Sequence, residues 1–409
     1  MEGDTATASQ EAIVLETIYY RVPPQDSSLS SSFRGLSPYE PPVPSNLWLI
    51  AEPVLISLGL YTPPDPTYSR YLIPALPEEN TFLESPYVVT TRRRIFTDAT
   101  GGAENVKVVQ AELDRAKGRD WIYYQTWEAP ERRGKIGDGI DIVCVHGIGE
   151  YGARWCVHVA KFIQNGFRII APDLPAHGRS TGIHCYVPTN DLLVSSVKLV
   201  LEDVDEQDQA RQRVSFTKRF IAGASLGAFV ILEYLLAYPP ADAVFTSISG
   251  AFLMCPLIQV AAASRPSYLL ELIARALRTF AGRVPFASAQ RGKGHWDPRA
   301  EISFLLNPQP YHGPLRIGTG LAIAQGIDDL APRAKEIRLP IKVIHGSADR
   351  ITSPEGSKDF FERVSSQDLE FEIWPGYEHV MMKVGYDRED DQPRQKTLES
   401  WYAWIAERV

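Results

Sequence analysis

Short apolar runs alternate with helical patterns along most of the chain from about residue 87. The run from Ile140 to Val145 is largely apolar, which is typical of a strand buried on both faces of a sheet. Apolar residues then recur at helical spacing at Trp155, Val159 and Phe162. Similar strand-like runs cover residues 87–96, 121–127, 167–171, 219–224, 243–249, 341–344 and 369–374. This alternation predicts a mostly parallel central sheet with helices on both faces, a three-layer α/β fold.

Residues 251 to about 335 interrupt the alternation. Two apolar helical segments are predicted there, over residues 268–280 and 315–327, with a Gly-, Arg- and Lys-rich loop between them. An insertion between two core strands would lie above their carboxyl ends, where parallel sheets collect their functional residues. We therefore predict a helical cap over 251–335, between core segments 86–250 and 336–409. The two cap helices are candidates for lining an acyl channel.

The N-terminal part of the chain has a different composition. Residues 1–85 are rich in Pro and Ser, but they contain an apolar stretch from Trp48 to Tyr61. This composition predicts an N-terminal extension that packs partly on the core, with an interfacial membrane anchor as the alternative. The stretch is too short to span a membrane and carries Glu52 and Pro53. The acidic N-terminus lacks the apolar segment of a secretory signal, so we predict a cytoplasmic protein, with peripheral contact to a membrane or lipid droplet left open.

The charge balance and the cysteine count argue against several classes of protein. The 409 residues include 42 Lys and Arg against 50 Asp and Glu, a formal net charge of −8, so we expect no nucleic-acid partner. Four cysteines without a CxxC pair support neither a disulfide framework nor a zinc site. Cys144 lies within a predicted buried strand and is expected to be a free thiol. The composition gives no indication of the oligomeric state.

The most informative motif is Gly223-Ala224-Ser225-Leu226-Gly227. It follows a predicted strand and opens a predicted helix, from 228 to 238. A sharp turn between strand and helix crowds its neighbours, so glycines are needed two positions before and after the serine. Such a turn exposes the serine hydroxyl above the sheet, and we predict that Ser225 is a nucleophile.

A serine hydroxyl needs a general base, and the base needs a carboxylate that orients it. On sheets of this kind the order along the chain is serine, acid, histidine. Asp349 follows the predicted strand 341–344 through a short loop, and His379 follows the predicted strand 369–374. We predict that these two residues complete a catalytic triad. His345, at a strand end, is the less suitable base among the nearby histidines.

Attack by the hydroxyl places negative charge on the substrate's carbonyl oxygen, which needs preplaced N–H donors. We predict that one donor is the backbone N–H of Leu226, directly after the nucleophile. The second is expected from the loop His146-Gly147-Ile148-Gly149, at the N–H of Ile148. This chemistry requires no metal and no organic cofactor.

Over about residues 117–409, the chain resembles the monoacylglycerol lipase and lysophospholipase branch of the α/β-hydrolases, and it is also similar to serine aminopeptidases. Five stretches carry the resemblance: 146–150 (HGIGE), 173–180 (DLPAHGRS), the turn at Ser225, 346–350 (GSADR) and 376–379 (GYEH). The resemblance implies an α/β-hydrolase fold with a helical cap. It also implies that Glu150 and Arg154 lie near the part of the pocket that binds the glycerol headgroup, although a surface ion pair is the alternative.

Two features depart from the family's pattern. Ala224 stands before the nucleophile, where His or Met is common, and the first 85 or so residues have no counterpart in short members. The sequence therefore predicts a serine hydrolase that cleaves a carboxylic ester through an acyl-enzyme, with a monoacylglycerol or lysolipid as substrate. Another small ester, a lactone or a thioester, or an aminopeptidase substrate, remains an alternative. A non-catalytic scaffold is disfavoured because all three triad residues are present.

Overall fold

The computed structural model describes residues 44–212, 218–239, 247–287 and 292–409. Within these ranges, a nine-stranded sheet has the order β11-β10-β7-β6-β4-β5-β3-β1-β2, and β8 and β9 form a separate pair. The strands are β1 (Val89–Phe96), β2 (Ala103–Asn105), β3 (Trp121–Glu128), β4 (Ile140–Val145), β5 (Arg168–Pro172), β6 (Lys218–Ala224), β7 (Gly250–Met254), β8 (Pro285–Ala287), β9 (Leu315–Arg316), β10 (Ile341–Gly346) and β11 (Leu369–Trp374). From β5 to β11 along the sheet, neighbouring strands are parallel, whereas β1, β2 and β3 are antiparallel additions at one edge. The predicted mostly parallel sheet is confirmed.

Helices cover both faces of this sheet. They are α1 (Asn46–Ser57), α2 (Pro77–Leu83), α3 (Gln110–Arg115), α4 (Ala160–Gln164), α5 (Asp191–Ala210), α6 (Leu226–Ala237), α7 (Tyr268–Ala281), α8 (Pro298–Leu306), α9 (Ile317–Leu330), α10 (Pro354–Phe361) and α11 (Gln392–Ala406), with 3-10 helices at Gly152–His158 and Ala331–Glu336. Side chains alternate between the faces of a strand, so each buried strand contributes to two cores. In β4, Val143 faces a cluster that includes Val200 of α5, whereas Cys144 faces a cluster that includes Trp401 of α11. The free, buried thiol predicted for Cys144 is confirmed.

Two predicted elements differ from the structure. The strand predicted over 243–249 is wrong at residues 247–249, which are not in a strand, and residues 243–246 lie outside the described residues; β7 runs from Gly250 to Met254. Gly250 can begin the strand because it lacks a side chain, since a Cβ there would lie 2.8 Å from the ring of Trp404. Residues 251–254 therefore belong to the central sheet, and the insertion begins after Met254. The helix expected from Trp155 onwards is divided into the 3-10 helix Gly152–His158 and α4.

The described part of the N-terminal extension is anchored by two buried arginines. Arg70 donates to the carbonyl oxygens of Gly178 and Ser180, at 2.9 and 2.7 Å. Arg179 donates in return to the carbonyl oxygens of Tyr71 and Ile73, at 3.1 and 2.8 Å. This reciprocal exchange packs the extension on the loop that follows β5. No helix in the described ranges is long and apolar enough to cross a membrane.

The insertion between β7 and β10 contains α7, α8 and α9. Its helices bury different amounts of apolar surface: Leu321 of α9 is 8% exposed, whereas Leu272 of α7 is 51% exposed. Leu272 therefore lies on an outer face and is not buried in a channel. Glu52 of α1 forms an ion pair with Arg283, at 3.2 Å, so the extension contacts the insertion directly.

Candidate active site

Ser225 lies at the junction of β6 and α6 in a strained backbone conformation, with φ 55° and ψ −119°. Two glycines make this turn possible. A Cβ on Gly227 would lie 2.2 Å from the carbonyl oxygen of Val145, and a Cβ on Gly223 would lie 2.8 Å from the carbonyl carbon of Gly227. The Ser225 N–H donates to the carbonyl oxygen of Met254 at 3.0 Å, which fixes the turn against β7. A left-handed non-glycine residue between strand and helix is the geometry of a nucleophile elbow.

Asp349 and His379 are brought together from loops after β10 and β11. Nδ1 of His379 lies 2.8 Å from Oδ2 of Asp349, and the aspartate side chain is fully buried whereas that of His379 is 11% exposed. Burial alone would raise the pKa of Asp349. The charge of His379 and hydrogen bonds from His345, His379 and Thr352 outweigh burial and hold this pKa well below its ordinary value. Asp349 is therefore a carboxylate that can orient the imidazole of His379.

Asp349 has further partners that the sequence did not reveal. The hydroxyl of Thr352 donates to Oδ2 at 2.7 Å, and the N–H groups of Ile351 and Thr352 donate to Oδ1 at 2.7 and 2.9 Å. His345, which the sequence placed nearby, contacts Oδ2 through Nε2 at 3.2 Å. The spacing of Asp349 and Thr352 in a loop after a strand is too common a pattern to have predicted this network.

The loop of residues 146–149, predicted to supply an oxyanion donor, lies beside Ser225. A Cβ on Gly147 would be 3.7 Å from Cβ of Ser225. His146 supports the loop, because its Nδ1 contacts the carbonyl oxygen of Gly147 at 2.8 Å and its Nε2 accepts from the N–H of Leu174 at 3.0 Å. Burial lowers the pKa of His146 to about 4, which keeps the ring neutral, as this accepting role requires.

The two N–H groups predicted for the oxyanion are available for a ligand. In the described ranges, no backbone or side-chain group accepts a hydrogen bond from the N–H of Ile148 or of Leu226. Leu226 begins α6, and the first N–H groups of a helix have no partner within it. Leu226 directly follows Ser225 in the chain, and Ile148 directly follows Gly147, which lies beside Ser225.

Glu150 and Arg154 form an ion pair with each other, with 3.3 Å between Oε2 and Nε. Their side chains are about one quarter exposed, at 27% and 25%, so they lie neither in the core nor fully on the surface. Burial raises the pKa of Glu150 and the charge of Arg154 opposes that effect. This geometry is compatible with both interpretations of the pair, as a headgroup contact or a structural ion pair.

A buried hydrogen-bond chain next to this pair joins three parts of the protein. The hydroxyl of Tyr151 donates to Glu79 of α2 and accepts from Nδ2 of Asn307 at 2.8 Å. All three residues are at most 3% exposed. Burial raises the pKa of Glu79 to about 7, although the hydrogen bond from Tyr151 and the charges of Arg179 and Arg154 lower it. The sequence did not single out Glu79, which lies in the extension.

Cys255 contacts the segments that carry Asp349 and His379, the second through its Sγ, which lies 3.9 Å from the carbonyl oxygen of Glu378. Its N–H donates to the carbonyl oxygen of Ile344 at 2.9 Å, and its carbonyl oxygen lies 3.2 Å from Oγ1 of Thr352. Possible ligand atoms of Cys255, His345 and Asp349 lie within 4.8 Å of one another. Burial raises the pKa of the thiol well above its ordinary value, and Asp349 already accepts hydrogen bonds from His345 and His379. These residues fit a hydrogen-bond network better than a set of metal ligands.

Three features together define the α/β-hydrolase class. They are a mostly parallel sheet with helices on both faces, a serine at a left-handed strand-to-helix turn, and a carboxylate–histidine pair that follows later strands. The family model for the serine aminopeptidases of family S33 matches residues 140–383, and the chain belongs to this family. The predicted resemblance to the monoacylglycerol lipase branch is also confirmed by relatives.

The chain is 26% identical to the caffeoylshikimate esterase of Arabidopsis thaliana, over 61% of this chain and 72% of the esterase. It is 23% identical to the monoacylglycerol lipase of Mycolicibacterium smegmatis, over 64% of this chain and 87% of the lipase. Among solved structures, the monoacylglycerol lipase of Paleococcus ferrophilus superposes with a TM-score of 0.58 and 21% identity, over 70% of this chain and 99% of the lipase. A monoglyceride lipase variant of Saccharomyces cerevisiae, in complex with a substrate analogue, gives a TM-score of 0.57 and 20% identity, over 70% and 91% of the two chains. These structures share the fold of this chain.

Proposed function

We propose that this ester hydrolase acts through Ser225 as nucleophile, with His379 as general base and Asp349 as the carboxylate that orients it. The observation that carries the proposal is the combination of the strained Ser225 turn with the 2.8 Å contact between His379 and Asp349. A serine hydroxyl is a weak nucleophile until a base accepts its proton, and a buried carboxylate stabilises the imidazolium that results.

The reaction has two halves that share one base. Oγ of Ser225 attacks the ester carbonyl carbon while Nε2 of His379 accepts the hydroxyl proton, and the N–H groups of Ile148 and Leu226 donate to the oxyanion. The C–O bond to the alcohol breaks, His379 returns its proton to the leaving oxygen, and an acyl-enzyme remains. Water then attacks the acyl-enzyme, again with His379 as base, and the acid is released from Ser225.

The substrate class we propose is a monoacylglycerol or a lysolipid. Support comes from the relatives named as monoacylglycerol lipases, which act on lipid esters, and from the two charged side chains of Glu150 and Arg154 close to the loop of residues 146–149. A charged hydrogen bond to a substrate hydroxyl is worth about 1.5–3 kcal/mol, enough to select a polyol headgroup.

Two other substrate classes are supported by specific similarities. The relative named caffeoylshikimate esterase favours a non-lipid ester, and the name of the matching family favours an aminopeptidase substrate. A panel of monoacylglycerols, lysophospholipids, short p-nitrophenyl esters and aminoacyl p-nitroanilides separates the three classes. Preference for the acylglycerols by kcat/KM is the expected result.

Arg154→Ala tests the headgroup assignment. We expect kcat/KM on a monoacylglycerol to fall at least tenfold, which corresponds to about 1.4 kcal/mol, because one charged hydrogen bond to the headgroup is lost. Hydrolysis of a p-nitrophenyl ester with the same acyl chain should fall much less. Equal losses on both esters would assign the Glu150–Arg154 pair to the structure of the loop.

We also propose that this enzyme contacts a lipid surface through α1 and α7. Both helices expose large apolar side chains, among them Leu47 at 77%, Tyr268 at 80% and Phe280 at 76%. The two helices contact each other, and Glu52 of α1 forms an ion pair with Arg283, two residues after α7, so the exposed residues lie on neighbouring helices. Large exposed apolar side chains on neighbouring helices favour contact with a membrane or lipid-droplet surface.

A further inference from the structure

The loop that carries His379 is fastened to the insertion on both sides of the histidine. The N–H of Val380, directly after His379, donates to the carbonyl oxygen of Gly294 at 3.0 Å. The carboxylate of Glu378, directly before His379, accepts through Oε2 from the N–H of Trp296. The position of His379 is therefore defined by a short segment of the insertion, residues 294–296.

The second oxygen of Glu378 links the base loop to the acid loop. Oε1 lies 2.8 Å from Nη2 of Arg350, and Arg350 directly follows Asp349 in the chain. The loop of Arg350 is itself held, since the hydroxyl of Ser264 donates to the Arg350 carbonyl oxygen at 2.7 Å. The Arg350–Glu378 pair thus joins the residue after the acid to the residue before the base.

This pair differs from an ordinary surface ion pair. The Glu378 side chain is only 7% exposed, and each of its oxygens has a partner on a different segment. An exposed pair contributes little because water competes for both charges, whereas a buried carboxylate holds its partners in a defined geometry. We propose that Glu378 is a positioning residue that keeps the imidazole of His379 in hydrogen-bond contact with Asp349, and that this contact therefore depends on the insertion. The inference rests on the function proposed above, in which His379 is the base.

Loss of Glu378 should affect orientation more than folding. Other ion pairs hold the same segments together: Lys383 with Asp297 at 2.7 Å, and Arg299 with Asp390 at 3.2 Å. These contacts remain when Glu378 is replaced. A displacement of the base by about 1 Å is enough to lower the rate of proton transfer on the order of a hundredfold.

The test uses steady-state hydrolysis of p-nitrophenyl acetate, which is too short to depend on an acyl channel. Glu378→Gln retains an oxygen for the Trp296 N–H but removes the charge that faces Arg350, and Arg350→Met removes the other charge. We expect each variant to lower kcat at least tenfold with less than a threefold change in KM. The double variant should be no worse than either single one, and Arg350→Lys should restore part of the rate.

The pH profile separates positioning from a simple charge effect. The charged and titratable groups around His379 are Asp349, with His345 on the same carboxylate, the Arg350–Glu378 pair at the neighbouring positions, and His295 in the segment that bonds to Glu378. If only charge mattered, removing Glu378's negative charge would move the acid limb of kcat/KM to lower pH, and removing Arg350's positive charge would move it to higher pH. If positioning matters, both variants weaken the contact between His379 and Asp349, and the acid limb of kcat/KM moves to lower pH in both variants.

The control is Arg333→Met, which breaks an ion pair with Glu336 whose side chains are 40% and 49% exposed, and which should leave kcat unchanged. Acid limbs that move in opposite directions, with kcat within twofold of wild type, would overturn the inference. So would a lower Tm with unchanged kcat, which would make Glu378 a structural residue. Failure of the proposed function is a different result: the Ser225→Ala variant would then hydrolyse the ester at close to the wild-type rate.

Discussion

Replacing Glu79 with Gln should stabilise the protein, and more strongly as the pH rises. Glu79 is 3% exposed, and burial raises its pKa from 4.5 to about 7. The folded protein therefore binds a proton more tightly than the unfolded chain between these two values. Stability contributed by this group is present at low pH and falls as the pH rises towards 7, because the buried carboxylate must then ionise.

The magnitude follows from the difference between the two pKa values. At 1.36 kcal/mol per pH unit, the free energy of unfolding of the wild type loses about 2.5 kcal/mol between pH 5 and pH 8 through this group alone. Gln cannot ionise, and its side-chain oxygen can still accept the hydrogen bond from Tyr151. The advantage of Glu79→Gln over the wild type should therefore grow by about 2.5 kcal/mol over that interval.

Urea unfolding at pH 5 and pH 8 measures this difference. Comparing the two pH values removes any effect of the substitution that does not depend on ionisation. Glu84→Gln, which removes an exposed carboxylate at the end of α2, controls for the general loss of one negative charge. If the stability difference between Glu79→Gln and wild type were the same at both pH values, Glu79 would not be the buried ionisable group described above.

Two further predictions concern the insertion and its surface. Leu321→Glu should lower the free energy of unfolding by roughly 2 kcal/mol or more, because it places a carboxylate in a site that is 8% exposed. Leu272→Glu, at a site that is 51% exposed, should change the free energy of unfolding by less than about 0.5 kcal/mol. Equal losses of the two variants in thermal unfolding would contradict the description of α7. The double variant Phe280→Ser, Leu47→Ser should sediment less with phosphatidylcholine vesicles than the wild-type protein, without a change in hydrolysis of p-nitrophenyl acetate. Sedimentation equal to that of the wild type would contradict the proposal that α1 and α7 contact lipid.

The sheet could be predicted where the sequence is strongly patterned. The apolar run of β4 and the strand–Gly-x-Ser-x-Gly–helix pattern at Ser225 are local signals, and both elements lie where they were predicted. The strand predicted at 243–249 is wrong at residues 247–249, because residues 243–249 and 250–254 are both apolar enough for a strand. Only the pairing of Gly250 with Phe220, a contact between distant residues, selects the second.

The candidate site shows the same division between local and distant signals. Asp349 and His379 follow strands, so their convergence was predictable from the rule that parallel strands end at one edge of the sheet. Glu79 and Glu378 contribute through partners far away in the sequence, and nothing in their immediate neighbours indicates those partners. Thr352 bonds to Asp349 only three residues before it, but that spacing is too common to have indicated the contact. The exposure of α7 was equally hidden, since an amphipathic helix shows an apolar face without showing what that face contacts.

The central claim, that Ser225 is the nucleophile, is tested most directly by labelling with a fluorophosphonate followed by peptide mapping. The reagent phosphonylates a serine only when a base activates its hydroxyl, so the account predicts a single modified residue, Ser225, in the wild-type protein. Ser225→Ala should abolish labelling and lower kcat on a p-nitrophenyl ester by several orders of magnitude, while the unfolding transition stays close to that of wild type. Full labelling of Ser225→Ala, or a label mapped to another serine, would contradict the account.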